Sequence, residues 1–261
     1  MSTQTSIIGA ALFLGASTVA QAITFDFETP GQFTANFRNL AGTTAAQSSN
    51  GAANDFISHS TGTGRSYVFD TTPASAAVKD TFTVGGATRM ELSADVRMTA
   101  AGSSFGFHII NPANEAQAYL ALLNVDVGGP NEQFRFSSGA DPTTVGAGTL
   151  VNGSFANNAD AGISVGNFFN VKLLYSVNAL NQPVFALTAG NVTSTHTFAV
   201  AAFPSFEVGI RSFTAGSLTS AVNEIDNISI NLITIPEPGT VGLMGLAMSG
   251  LLSVRRRREQ V

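Results

Sequence analysis

Met90-Glu-Leu-Ser-Ala-Asp-Val-Arg-Met98 places an apolar residue at every second position. Met90, Leu92, Ala94, Val96 and Met98 share one parity, and Glu91, Ser93, Asp95 and Arg97 share the other. A period of two is the mark of a strand with one face in a core and the other in water.

The same period recurs on both sides of this stretch. Ile23, Phe25 and Phe27 alternate with Thr24, Asp26 and Glu28, and Tyr67 and Phe69 follow a Gly/Ser/Thr-rich segment. Phe82 and Val84 lead into Gly85-Gly86, and Phe105, Phe107 and Ile109 run to Asn111-Pro112. Tyr119 to Val127 is largely apolar and closes on Gly128-Gly129-Pro130, and Phe134 and Phe136 alternate around Arg135. Further on come Phe169, Val171, Leu173 and Tyr175, then Val184 to Thr188, Val192 to Val200, and Phe206, Val208 and Ile210. Ile228, Ile230 and Leu232 complete the series. About a dozen strands with turn signals between them predict an all-β, two-sheet, jelly-roll-like sandwich. No segment sustains the 3.6-residue period of a helix. Asn114 to Leu123 has room for a helical turn, but the Asn-Val-Asp-Val that follows suits a strand better. Ala41 to Gly64, rich in Thr, Ser, Asn, Ala and Gly, reads as a long loop with at most one short strand.

Composition agrees with this reading. The chain of 261 residues has 20 Phe and 26 Gly, and only 11% of its residues are charged. Soluble domains carry roughly 25% charge, and long surface helices need much of it. Between Ile23 and Thr234 there are 8 basic and 15 acidic residues, a net of −7. An acidic body lacks the basic footprint of a nucleic-acid-binding protein, so no nucleic-acid partner is expected. With no cysteine, thiol nucleophiles and thiolate metal sites are excluded.

The two ends depart from the strand pattern. An apolar stretch from Ile7 is followed by small residues and by Ala20-Gln21-Ala22. This reads as a signal peptide over 1–22 with an A-x-A cleavage site, although residues 2 to 6 carry no Lys or Arg. The sandwich then occupies 23–234, and a distinct tail occupies 235–261. In the tail, Pro236, Glu237 and Pro238 form an extended stretch, because proline denies helix. An apolar run over 239–254 then has the character of a single transmembrane helix. Its 16 residues would span about 24 Å, slightly less than the ~30 Å hydrocarbon core. Arg255, Arg256, Arg257 and Arg258 follow as a cytoplasmic stop under the positive-inside rule.

Pro-Glu-Pro, an apolar helix and an arginine cluster, in that order, resemble the PEP-CTERM sorting signal. The resemblance covers about a tenth of the chain. It implies a Gram-negative exporter and transient recognition by an exosortase, a membrane protease that cuts near Pro-Glu-Pro. It further implies an inner-membrane intermediate and delivery to the cell surface or the extracellular, biofilm-forming matrix.

The hairpin Phe168 to Thr188, turning at Asn178-Ala-Leu-Asn181, resembles the central hairpin of concanavalin-A-like (LamG-type) jelly rolls. Phe25-Asp-Phe-Glu28 and Ile225-Asp-Asn-Ile228 resemble the first and last strands of jelly-roll carbohydrate-binding modules. That resemblance implies pairing of these strands and a structural Ca²⁺ at Glu28 and Asp226, completed by carbonyls and water. Asp226 is in phase with Ile228 and Ile230, which would set its carboxylate at the rim of the core. Taken alone, the two residues also read as solvated acids.

No catalytic constellation emerges. Gly102-Ser-Ser-Phe-Gly106 matches G-x-S-x-G, but it opens a strand, whereas a nucleophile elbow needs a strand, a turn and a helix. His59, His108 and His196 lack metal-ligand spacing, and His108 falls on the polar parity of its strand. Glu91 and Asp95 share a face with Arg89 and Arg97, which suits surface salt bridges better than glycosidase chemistry. The chain has no Trp and only three Tyr, a poor supply of sugar-stacking rings. Two functions follow. One is a non-catalytic exported surface or matrix protein. The other is a carbohydrate-binding module or hydrolase of jelly-roll fold that binds exopolysaccharide.

Overall fold

The computed structural model describes residues 22–41, 46–48, 56–60, 65–70, 81–85, 88–99, 102–125, 133–140, 142, 154–157, 162–163, 165–213 and 222–234. For 41, 46–48, 56–60, 65, 140, 154–157, 222 and 234 only the backbone is described. The signal segment up to residue 21 and the tail from 235 lie outside these residues. So does the apolar run 239–254, and no helix among the described residues is long and apolar enough to cross a membrane.

In chain order the elements are β1 (Ala22–Phe25), α1 (Gln32–Asn36), β2 (Phe37–Ala41), β3 (Ala46–Ser48), β4 (Phe56–Ser60), β5 (Arg65–Phe69), β6 (Thr88–Met98) and β7 (Ser104–Ile110). They continue with β8 (Ala118–Asn124), β9 (Gln133–Ala140), β10 (Ser154–Asn157), β11 (Phe168–Val177), β12 (Pro183–Ala189), β13 (Val192–Thr197), β14 (Glu207–Phe213) and β15 (Val222–Thr234).

Two antiparallel sheets result. The eight-stranded sheet runs β13-β12-β11-β6-β15-β4-β3, with β1 also on β15. The thirteen residues of β15 make this branching possible. Its first part pairs with β4 (Val222↔Ser60) and its later part with β1 (Ile228↔Phe25), while β6 runs along the other edge. First and last strands therefore pair, as the resemblance to jelly-roll modules implied. The seven-stranded sheet runs β10-β9-β8-β7-β14-β5-β2.

The core lies between the sheets. On β6 every even residue from Met90 to Met98 is buried and every odd residue from Glu91 to Arg97 is partly exposed, as the alternation predicts. Phenylalanines do most of the filling. Phe33 stacks on Phe37 at 5.1 Å, and Phe37 meets Phe25 edge-on at 5.1 Å. Tyr175 meets Phe185 and Phe206 edge-on at 5.4 and 5.1 Å. Each such side chain contributes about 1.5–3 kcal/mol by leaving water. The hairpin between β11 and β12 is pinned by Asn178, whose Oδ1 accepts from the N–H groups of Leu180 and Gln182 at 2.9 and 3.0 Å. Asn181 takes the positive φ of 57° that closes the turn.

Three expectations are corrected. Ala41 to Gly64 contains two strands, β3 and β4, because β15 supplies an edge on which β4 can pair. Phe82 makes only an isolated bridge with Phe206. A single helical turn, α1, interrupts the all-β chain. It starts after Gly31 at φ 80°, buries Phe33 and accepts the Phe27 N–H on the Gln32 Oε1 at 2.6 Å.

Candidate functional site

The outer face of the seven-stranded sheet is built by cross-strand register. Arg135 of β9 stands opposite Leu122 of β8, Leu122 opposite Gly106 of β7, and Gly106 opposite Arg211 of β14. Residues opposed in an antiparallel ladder share a face, so two arginines face each other across Leu122 and Gly106. The next row on that face is Gln133, Asn124, Ser104 and Phe213. At roughly 4.8 Å per strand, the two arginine backbones are about 14 Å apart, a gap that two long side chains narrow.

Gly106 is the low point of the first row. A Cβ there would lie 1.9 Å from the Ala121 carbonyl oxygen and 2.8 Å from the Leu122 Cα, so no larger residue fits. Above these rows lies a cavity of about 220 Å³ lined by Gly102, Ser104, Leu122, Asn124, Arg135, Arg211 and Phe213. None of these lining residues is acidic. Arg211 is buried and its Nη1 donates to Ser66 Oγ at 3.4 Å. Arg135 is half-buried, and its Nε donates to Gln133 Oε1 at 2.6 Å. The Asn124 amide oxygen, turned towards Arg135, accepts from Nε and Nη2 at 2.9 and 3.0 Å. Burial lowers the Arg135 pKa.

His108 lies one row away from this pair. Its parity predicted exposure, yet the ring is fully buried and neither nitrogen has a hydrogen-bond partner among the described residues. Burial, with Arg211 nearby, holds its pKa well below the ordinary imidazole value, so the ring is neutral. His196, half-buried on β13, packs on Phe136 and Phe198 at 5.5 and 4.6 Å at the edge of the core. Ser104 begins β7 with no helix following, so G-x-S-x-G is a turn into a strand.

At the far end of the same face Arg38 is surrounded by carboxylates. Its Nε lies 3.4 Å from Asp70 Oδ2, and its Nη2 lies 2.9 Å from Glu115 Oε1 and 3.0 Å from Glu207 Oε1. Asp70 and Glu207 are buried, so this arginine serves to neutralise interior acids.

On the eight-stranded sheet the polar parity of β6 faces water. Arg97 pairs with Glu224 and lies 5.0 Å from the Phe168 ring centre, and Lys172 approaches Glu91 at 3.5 Å. Glu91 and Asp95 thus belong to a solvated, salt-bridged face.

Glu28 and Asp226 share one acidic neighbourhood. Asp226 stands opposite Asp95, and a bulge follows at Asn227, which takes φ 49°. The bulge inserts one residue, so Ile225 and Ile228 are both buried and the Asp226 carboxylate turns out of the core's phase. Burial pushes its pKa up to about 6, with Asp95, Glu28 and Asp26 adding repulsion. The Asn227 Nδ2 spans the gap, donating to Asp95 Oδ2 at 3.0 Å and Asp226 Oδ2 at 3.3 Å. Among the described residues no three or more His, Asp or Glu side chains are arranged to hold a metal ion. Of the signal-cleavage residues, Ala20 lies outside the described residues and Ala22 opens β1, paired with Asn231.

The fold defines a class: a legume-lectin-like, concanavalin-A-like sandwich. It is similar to a legume lectin-like domain from Entamoeba histolytica, at 12% identity, covering 82% of this chain and 97% of that one with a TM-score of 0.53. It is also similar to the Emp47p carbohydrate recognition domain, at 10% identity over 84% and 99% of the two chains with a TM-score of 0.53. A potassium-bound form of the Emp46p carbohydrate recognition domain matches at 12% identity over 80% and 93%, with a TM-score of 0.50. Comparison with curated protein sequences finds no match. The particular mark of this chain is at its end, where residues 234–258 match the PEP-CTERM protein-sorting motif. Pro236, Glu237, Pro238 and Arg255 to Arg258 all fall inside that match. The motif implies export and sorting by the membrane-associated exosortase route of Gram-negative bacteria.

Proposed function

We propose that this chain is a non-catalytic exported protein, processed by an exosortase and left at the cell surface or in the exopolysaccharide matrix, where its sandwich binds a glycan. The observation that carries the binding reading is the cavity on the seven-stranded sheet. It gathers a hydroxyl, an amide, two guanidiniums and an aromatic ring on four adjacent strands of a lectin-like fold. A few convergent polar groups beside apolar surface are what a small-ligand site requires. The absence of an acid among its described lining residues favours binding over hydrolysis, which needs paired carboxylates. The lectin-like neighbours, two of them named as carbohydrate recognition domains, support the same reading through fold.

Two measurements test it. Intact protein purified from the exporting cell is expected to pellet with that cell's purified exopolysaccharide; failure to pellet would refute glycan binding. Mass spectrometry of C-terminal peptides is expected to show cleavage near Pro236–Pro238 only when the exosortase is present. Identical peptides with and without that protease would sink the sorting half of the proposal.

A further inference from the structure

Building on the glycan-binding reading above, we infer that the cavity takes an acidic sugar, with a ring carboxylate held between the Arg135 and Arg211 guanidiniums and the ring lying against Phe213. Cross-strand register carries the inference. Two of the eight basic residues between Ile23 and Thr234, a segment of net charge −7, stand in a single row of one sheet face. Both arginines line the same cavity, one at each side of it, so an anion seated there meets two guanidiniums.

The chemistry of the row matches a carboxylate in particular. A guanidinium presents a planar fork of donors that meets both oxygens of a carboxylate. Arg38, on the same face, shows this fork in use: Nη1 and Nη2 grip the two oxygens of Glu115 at 3.3 and 2.9 Å. Among the contacts that position Arg135 and Arg211 are the neutral acceptors Gln133, Asn124 and Ser66. Arg135 is already partly desolvated, and attraction to an incoming anion strengthens as the local dielectric falls.

The rest of the cavity suits a sugar ring. Ser104 and Asn124 offer hydrogen bonds to hydroxyls, and Phe213 offers a ring face. Phe213 matters because the three tyrosines, Tyr67, Tyr119 and Tyr175, are all buried in the core. A volume of about 220 Å³ lies below the ~300 Å³ at which drug-sized pockets begin, so the cavity holds one ring or one end group.

The test is affinity electrophoresis of the intact exported protein through polymannuronate, polyguluronate, polygalacturonate and polyglucuronate, each beside its carboxyl-reduced, neutral counterpart. At least one acidic polymer is expected to retard the protein about tenfold more strongly than its neutral counterpart. That preference is expected to fade as NaCl rises from about 50 to about 500 mM. Arg135→Gln is expected to lose about tenfold in affinity, and Arg135→Lys, which keeps the charge but not the fork, to recover only part of it. Arg89→Gln, on the exposed parity of the other sheet, is expected to bind as wild type. Because Arg135 is half-exposed, its variants can be checked for folding by thermal melting, and the salt series on wild type needs no variant. Equal retardation by acidic and neutral counterparts would overturn the acidic-sugar inference and leave glycan binding intact. So would retardation by none of them while the cell's own exopolysaccharide still pellets. No retardation together with no pelleting would overturn both.

Discussion

The two outer faces of the sandwich are written in the same alternating code and behave differently. On the eight-stranded sheet the polar parity of β6 meets water: Glu91, Ser93, Asp95 and Arg97 are partly exposed, and Glu91, Asp95 and Arg97 pair with Lys172, Asn170 and Glu224 in turn. On the seven-stranded sheet the corresponding parity of β7 is buried at Ser104, His108 and Ile110, and β8 and most of β14 are buried on both faces. Polar residues on a wet face are held by screened pairs worth about 0–1 kcal/mol. Polar residues on a buried face need partners or carry a cost. The buried face is therefore where unusual polar residues report function, and there the arginine row and the cavity lie.

The largest effect is expected at Arg38. Arg38→Met removes the guanidinium that lies against buried Asp70 and Glu207 and should destabilise the fold by about 3 kcal/mol, read by urea unfolding at neutral pH. A loss under about 1 kcal/mol would mean that this face is wetter than its burial indicates. Next comes Gly106→Ala. Its Cβ would strike strand backbone, and the expected cost is about 2–3 kcal/mol. A neutral result would show that β7 and β8 can separate and that the cavity floor is soft.

How much of this contrast could be read beforehand differs by element. β6, the hairpin at Asn178 and the pairing of first and last strands were legible, because each follows from local period, turn chemistry or a short motif. The burial of His108 was not, since alternation says which residues share a face and nothing about whether that face is covered. Asp226 was misplaced in phase because a one-residue bulge at Asn227 reverses parity, and a lone Asp-Asn inside an apolar alternation is a weak local sign of one. The Arg135–Arg211 row needed register across four strands, and their separation of 76 positions gives no local signal. β4 needed an edge supplied by β15, a tertiary contact that outweighs its loop-like composition.

Asp226 sharpens the comparison from the wet side. Its pKa is about 6 in the folded chain against an ordinary 3.8. The folded state therefore keeps a proton that the unfolded state has lost, and stability falls as pH rises from about 4 to about 6. Discounted for its partial exposure, the loss at pH 7 is about 1 kcal/mol. Asp226→Asn should recover it and flatten the stability–pH curve over that window; an unchanged curve would remove the repulsion argument. Because Asn227 spans the gap to Asp95, EDTA is expected to leave the wild-type curve unmoved. A chelator-dependent shift would instead place calcium at Glu28 and Asp226. The smallest effect is expected at Glu91, whose pair with Lys172 is exposed. Glu91→Ala should cost less than ~0.5 kcal/mol, and a larger loss would blur the distinction between the faces.

The central claim is that ligand recognition belongs to the face of the seven-stranded sheet. The most direct test is pelleting of the intact protein with its cell's exopolysaccharide, comparing wild type with Arg135→Gln and Arg97→Gln, one arginine from each outer face. The account predicts that Arg135→Gln is left in the supernatant while Arg97→Gln pellets as wild type does. Loss of pelleting in Arg97→Gln alone would contradict it and move the binding surface to the opposite sheet.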